Sequence, residues 1–170
     1  MTMRFALRLP QRQARMVALA VHYHLARPGS ELDPQTAREH EHGLREVPSA
    51  LEPQLDAESA ALEIRPLQVA LLATALSSVI NELKVYAVFD AMAGESARPR
   101  STALGFDDKL RALFPEIAGD PSTASDLAGE MTMLRRQLPL ARAREALGDE
   151  RRAADEARRT RKRPWQLWKR

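Results

Sequence analysis

The 170-residue sequence predicts a mainly α-helical protein, a four- to five-helix up-down bundle built around one central apolar helix at residues 66–93. Three features carry that expectation. Helix formers such as Ala, Leu, Glu and Arg abound while strand formers are scarce. Apolar residues recur at steps of three and four through several stretches, densest between Pro66 and Ala93. Helix start and stop signals recur along the chain, at Pro28-Gly29, Asp33-Pro34, Gly94 and Asp120-Pro121.

Taken in order, Phe5–Leu9 alternates loosely before Pro10 and predicts a short extended lead-in. Residues 11–27 predict a helix with Ala14, Val17, Ala18, Val21 and Leu25 inward and Pro28-Gly29 as its stop. Asp33-Pro34 pairs a capping carboxylate with a proline suited to the first helical position, so a second helix is expected from Pro34. Pro48 and Pro53 bend it, and the spacing of Leu44, Val47, Leu51 and Leu55 carries it to about residue 55. Residues 61–64 predict a second extended piece. An ungapped alignment of 6–27 on 61–82 matches Ala6/Ala61, Leu7/Leu62, Gln13/Gln68, Ala18/Ala73 and Ala20/Ala75, a weak internal repeat of 6–55 on 61–138. Its two lead-ins can pair as a minor two-stranded ribbon.

Pro66 can open the central helix because its missing N–H needs no partner there. Val69, Leu72, Leu76, Val79, Leu83 and Tyr86 then fall on one side. Leu71, Ala75, Val85, Phe89 and Met92 widen the apolar face, and a helix so apolar all round is expected to be buried all round. The uncharged run from Leu67 to Asn81 falls short of the roughly 20 residues of a membrane span, so a soluble core helix is expected. After Gly94 come a polar loop to Gly105, a short helix at 107–114 with Leu110, Leu113 and Phe114 inward, and a turn at 115–119. Asp120-Pro121 repeats the start signal, and Leu127, Met131, Leu134 and Leu138 mark the inner face of the next helix until Pro139. From 140 to 162 charge pairs at helical spacing, such as Asp155/Arg159, replace the apolar stripe and predict an exposed helix. The chain thus divides into a helical domain at 1–147 and an exposed charged helix with a tail at 148–170.

Charge follows the same division. The net charge is +3, and seven basic residues lie at 158–170 without an acidic one; subtracting them leaves −4 on residues 1–157. The high pI belongs to the tail and implies no basic globular surface. No cysteine is present, which excludes disulfides and thiolate metal sites. Residues 1–16 lack a signal-like apolar run, so a cytoplasmic protein is expected, peripheral at the membrane if the tail docks there.

No phosphate-binding glycine loop, nucleophile elbow or H-E-x-x-H occurs, and no paired carboxylates stand out, so a non-enzymatic protein without a cofactor is expected. His22, His24, His40 and His42 would meet at one end of a helical hairpin. His24 and His40 are the weak metal candidates, because residues two apart on a helix point to different sides and neither pair chelates.

The specific feature is the tail: Arg158, Arg159, Arg161, Lys162, Arg163, Trp165, Leu167, Trp168, Lys169 and Arg170. Both tryptophans of the chain lie in its last six residues, flanked by cations. Indoles favour the headgroup layer of a bilayer and cations favour anionic lipid. The expected role is a small helical interaction or scaffold protein, self-associating as a homo-oligomer or binding a protein partner, whose tail docks on an anionic membrane surface or on that partner. The alternative is sequence-blind nucleic-acid binding, with the cations on phosphates and the indoles on unpaired bases.

Overall fold

The computed structural model describes residues 3–28, 30, 43–93, 101, 103–120 and 122–161. Within them lie two strands, β1 (Phe5–Pro10) and β2 (Ser59–Ile64), and seven helices. These are α1 (Gln11–Ala26), α2 (Val47–Leu51), α3 (Pro66–Ala93), α4 (Phe106–Leu113), α5 (Glu116–Gly119), α6 (Thr123–Gln137) and α7 (Leu140–Arg161). The protein is mainly helical with a small antiparallel ribbon, as the composition and periodicity predict.

The ribbon pairs β1 with β2 in the register Phe5↔Ile64, Leu7↔Leu62, Leu9↔Ala60. Alternation puts Phe5 and Leu9 on the core side of one strand and Ala60, Leu62 and Ile64 on that of the other. The 55-residue offset that aligns 6–27 on 61–82 carries the first residue of α1 onto the first of α3. It also sets the equivalent residues Leu7 and Leu62 opposite each other, so the ribbon has a local two-fold axis at that pair.

α3 is the hub, and α1, α6 and α7 pack against it. Its predicted inner row is buried throughout: Val69, Leu76, Val79 and Leu83 at 0%, Leu72 at 1% and Tyr86 at 7% exposure. The expectation of burial all round does not hold. Thr74, Asn81, Lys84, Val85 and Val88 are exposed, and Leu67, Ala70, Leu71, Ser77 and Ser78 are half-buried. Among the described residues, the neighbouring helices cover one side of the rod fully and the other only in part. Pro66–Val88 is long and apolar enough by composition to cross a membrane, with half of that window buried by the chain itself.

Gln68 is the buried polar residue at the start of α3. Its Oε1 accepts from the Arg65 backbone N–H at 2.8 Å, as the third helical residue does in a capping box. Its Nε2 donates to the Gly43 carbonyl at 2.9 Å, and Arg65 pairs with Glu46 at 2.7 Å. One amide thus ties the helix start to the segment that begins at residue 43.

That segment is not the single bent helix expected to residue 55. Residues 43–54 form a 3-10 turn (Leu44–Glu46), the one-turn α2 and a second 3-10 turn (Glu52–Gln54). Pro48 and Pro53 each remove an N–H, and the chain re-forms in short pieces between them. Leu44, Val47 and Leu51 are still buried. The Asp33-Pro34 start, Gly94 and most of the 94–105 loop lie outside the described residues.

α4 starts one residue earlier than predicted. Gly105 precedes it at φ 69°, a conformation glycine adopts without strain. This turns Phe106 inward, 1% exposed, with its ring edge-on to Tyr23 at 5.2 Å. The predicted turn at 115–119 contains the four-residue α5. Asp120 then accepts from the Ser122 N–H at 2.9 Å and the Ser122 hydroxyl at 2.7 Å. Those bonds hold its carboxyl below the usual range. Leu127, Met131, Leu134 and Leu138 are buried as their spacing predicts.

Arg12 joins three helices. It bonds Glu130 through Nε at 2.6 Å and Nη2 at 3.0 Å, bonds Glu116 through Nη1 at 2.8 Å, and lies 5.5 Å from the Phe114 ring centroid. Burial of Glu116 opposes its ionisation, but the bond and charge of Arg12 outweigh it and hold the carboxyl below its ordinary value. A carboxylate depressed on folding contributes stability that is complete above its unfolded pKa and is lost as pH falls through the folded one. The melting temperature should therefore drop as pH falls from about 4.5 towards 3. In Arg12→Gln the drop should be shallower, by a few °C at most because these groups are roughly half exposed. Thermal melts across that window check it, and parallel curves for the two proteins would refute it.

Candidate functional site: the outgoing C-terminal helix

α7 begins where α6 must stop. Leu138 precedes Pro139 and is extended (φ −63°, ψ 140°), as a residue before proline prefers. The Ala143 N–H then donates to the Pro139 carbonyl at 3.0 Å and the new helix is under way. Leu140 packs on the core and Ala143 is fully buried. Sequence reasoning missed this anchor, because one leucine and an alanine in a charged stretch make no stripe.

Beyond Gly148 the helix changes character. Every side chain from Asp149 to Arg159 is exposed. Eleven residues at about 1.5 Å each make roughly 16 Å of solvated rod. Arg152 pairs with Asp149 one turn back, both largely exposed, and such a pair adds little stability. Of the predicted tail residues, Arg158 and Arg159 lie exposed on this rod and Arg161 is the last helical residue. Lys162, Arg163, Trp165, Leu167, Trp168, Lys169 and Arg170 lie outside the described residues.

The histidine hairpin is described on one side only. His22 and His24 lie half-buried at the end of α1, and His40 and His42 lie outside the described residues. Among the described residues no three His, Asp or Glu side chains come together as a metal site would need. His22 borders a cleft of about 270 Å³ with Val21, Leu25, Val47, Leu51 and the Glu52–Lys109 pair, whose charges stand 3.6 Å apart. The His22 Nε2 is buried without a hydrogen-bond partner among the described residues, close to Gly105. Among the described residues, its polar wall is the His22 imidazole with the Glu52–Lys109 ion pair, and the remaining lining is mostly apolar.

Comparison with known protein families, with curated proteins and with solved structures returns no match for this chain.

Proposed function

We propose that this chain is a non-enzymatic helical interaction protein whose basic, tryptophan-bearing C-terminal tail docks on an anionic membrane surface. The observation that carries this is the exposed rod of α7, solvated on every side from Asp149 to Arg159. A helix without an apolar stripe gains nothing by lying on the body, and it suits a spacer between an anchored domain and a charged end. The tail adds seven cations around Trp165, Leu167 and Trp168, while residues 1–157 carry −4. Each cation near anionic lipid contributes about 1 kcal/mol, and indoles settle at the headgroup layer.

The test is co-sedimentation with phosphatidylserine-rich vesicles, comparing the full chain with one ending at residue 157. The full chain should bind, release in high salt and ignore neutral vesicles. Truncation should weaken binding by roughly 30-fold or more, since the lost attraction exceeds 2 kcal/mol. Trp165 and Trp168 are the chain's two tryptophans, so a blue shift of emission on binding reports the tail directly. Equal partitioning of the two proteins would overturn the proposal. A low-salt shift of single-stranded oligonucleotides without vesicle binding would favour the nucleic-acid alternative.

A further inference from the structure

The ribbon has two outer edges, and the chain closes one of them. The Gln11 N–H donates to the Glu58 carbonyl at 3.0 Å, in register with the ladder, so the odd-numbered residues of β1 aim their backbone groups at β2. Ala6 and Arg8 therefore aim theirs away from it, as Ala61 and Glu63 do on β2. On the β2 edge the Gln54 side chain stands in for a third strand. Its Oε1 accepts from the Ala61 N–H at 2.9 Å, and its Nε2 donates to the Ala61 carbonyl at 3.1 Å. The 55-residue offset carries Ala6 onto Ala61, so Ala6 holds the equivalent place on the β1 edge. Among the described residues nothing bonds to the N–H or C=O of Ala6 or Arg8.

Burial shows the same asymmetry. Leu62 is 2% exposed, whereas Leu7 opposite it is only half-buried, although Phe5 and Leu9 on either side are buried. The one-turn α2 packs beside β2, and among the described residues no helix packs comparably beside β1 except α1, which continues from it. We propose that the open edge of β1 pairs antiparallel with β1 of a second copy, giving a four-stranded sheet with the two copies of β1 at its centre.

The side chains select the register. Centred on Ala6, the pair would set Arg4 against the partner's Arg8; centred on Arg8, it would set the two copies of Arg8 together. Like charges directly opposite are unfavourable. Centred on Leu7, it sets Ala6 against the partner's Arg8 and Arg4 against the partner's Pro10. Ala6 and the partner's Arg8 then exchange two hydrogen bonds, and symmetry repeats them. The missing N–H of Pro10 falls at the end of the ladder, where one bond is lost. Leu7 meets its own copy on the axis and covers the part that each leaves exposed. On the solvent face Ala6 is small, so Glu63 beside it reaches over to the partner's Arg8. Glu63 otherwise has the exposed Arg4 at 3.4 Å, and Arg8 has no ion-pair partner among the described residues. Strand addition draws its affinity from main-chain hydrogen bonds, and a strand this short makes the dimer weak and reversible.

The pairing goes beyond the reading of the tail and does not depend on it. Sedimentation equilibrium of the full chain should show a concentration-dependent dimer, equally so in the chain ending at residue 157. Ala6→Pro removes one outward donor, leaves every bond to β2 in place and should weaken the dimer by roughly tenfold with little change in melting temperature. Arg8→Glu should weaken it too, and Arg8→Glu/Glu63→Arg should restore it. The chain has no native cysteine, so single cysteines report the register. Under mild oxidation Leu7→Cys should form a covalent dimer, because facing residues of such a pair stand about 4.5 Å apart at Cα. Met3→Cys should not, since its two copies lie about 27 Å apart in this register. A chain that stays monomeric at about 500 µM, far above the range of specific complexes, would overturn the proposal. So would an Ala6→Pro chain that dimerises like wild type, a charge swap no better than Arg8→Glu alone, or cross-linking of Met3→Cys as efficient as that of Leu7→Cys. Failure of the tail truncation to reduce vesicle binding leaves these readouts untouched, so the two proposals fail separately.

Discussion

Leu76→Ala is expected to cost about 3–4 kcal/mol of folding stability. Leu76 is fully buried midway along the inner row of α3, the helix against which α1, α6 and α7 pack. Removing its branched end forfeits the transfer of those atoms from water and leaves a void that the close-packed core beside it cannot fully fill. For a domain of ordinary stability, 5–15 kcal/mol, that loss is a large fraction of the total. Urea unfolding should show a lower midpoint with an unchanged slope. The matched comparison is Val85→Ala on the opposite side of the same helix, where exposure predicts a change within about 0.5 kcal/mol. Similar losses at the two positions would mean that α3 is not gripped from one side, and the hub assignment would fall.

The contrast between those two residues marks where the sequence could be read and where it could not. Both ends of α3 were legible, because Pro66 suits a helix start and the apolar steps run unbroken to Ala93. The ribbon was legible from the 55-residue offset, which already aligned Leu7 with Leu62. The inner row of α3 was legible too, but the exposure of Thr74, Asn81, Val85 and Val88 was not, since only the neighbouring helices decide how far round the helix burial extends. Residues 43–54 escaped for a related reason. Leu44, Val47 and Leu51 keep helical spacing and are buried, but spacing cannot count the N–H groups that Pro48 and Pro53 remove. Phe106 was missed because its burial depends on the φ 69° of Gly105, a backbone choice outside any periodic pattern. In the candidate site, the charge division and the clustering of both tryptophans could be read from composition alone. The anchoring of α7 through Leu140 and Ala143 could not, because the apolar counterpart is supplied by α3, far away in sequence. The cleft beside His22 was equally hidden, its walls coming from α1, the 47–52 segment and α4.

Gln68→Leu is the second large effect expected, about 2–4 kcal/mol, and it arises from polar pairing rather than volume. Leucine is close in size and more apolar than glutamine, so burial alone would predict a neutral or favourable change. The loss comes from what Gln68 leaves behind. The Arg65 N–H and the Gly43 carbonyl each bond to its side chain, and a leucine side chain can bond to neither. An unsatisfied group in a buried setting costs about 1–3 kcal/mol. Two groups are affected at two places in the fold, so the damage should be local as well as global. Hydrogen exchange at the Arg65 amide should accelerate, and the 43–54 segment should become more susceptible to proteolysis than the rest of the chain. Gln68→Ala removes the same bonds and adds a cavity, so it should be worse than leucine by the transfer and void contributions of the missing atoms. If leucine proved as stable as glutamine, the amide would be a passenger and the start of α3 would be held by packing and by the Arg65–Glu46 pair. That pair joins the same two segments across the surface, with Glu46 more than half exposed, and is too solvated to replace one buried and one part-buried hydrogen bond.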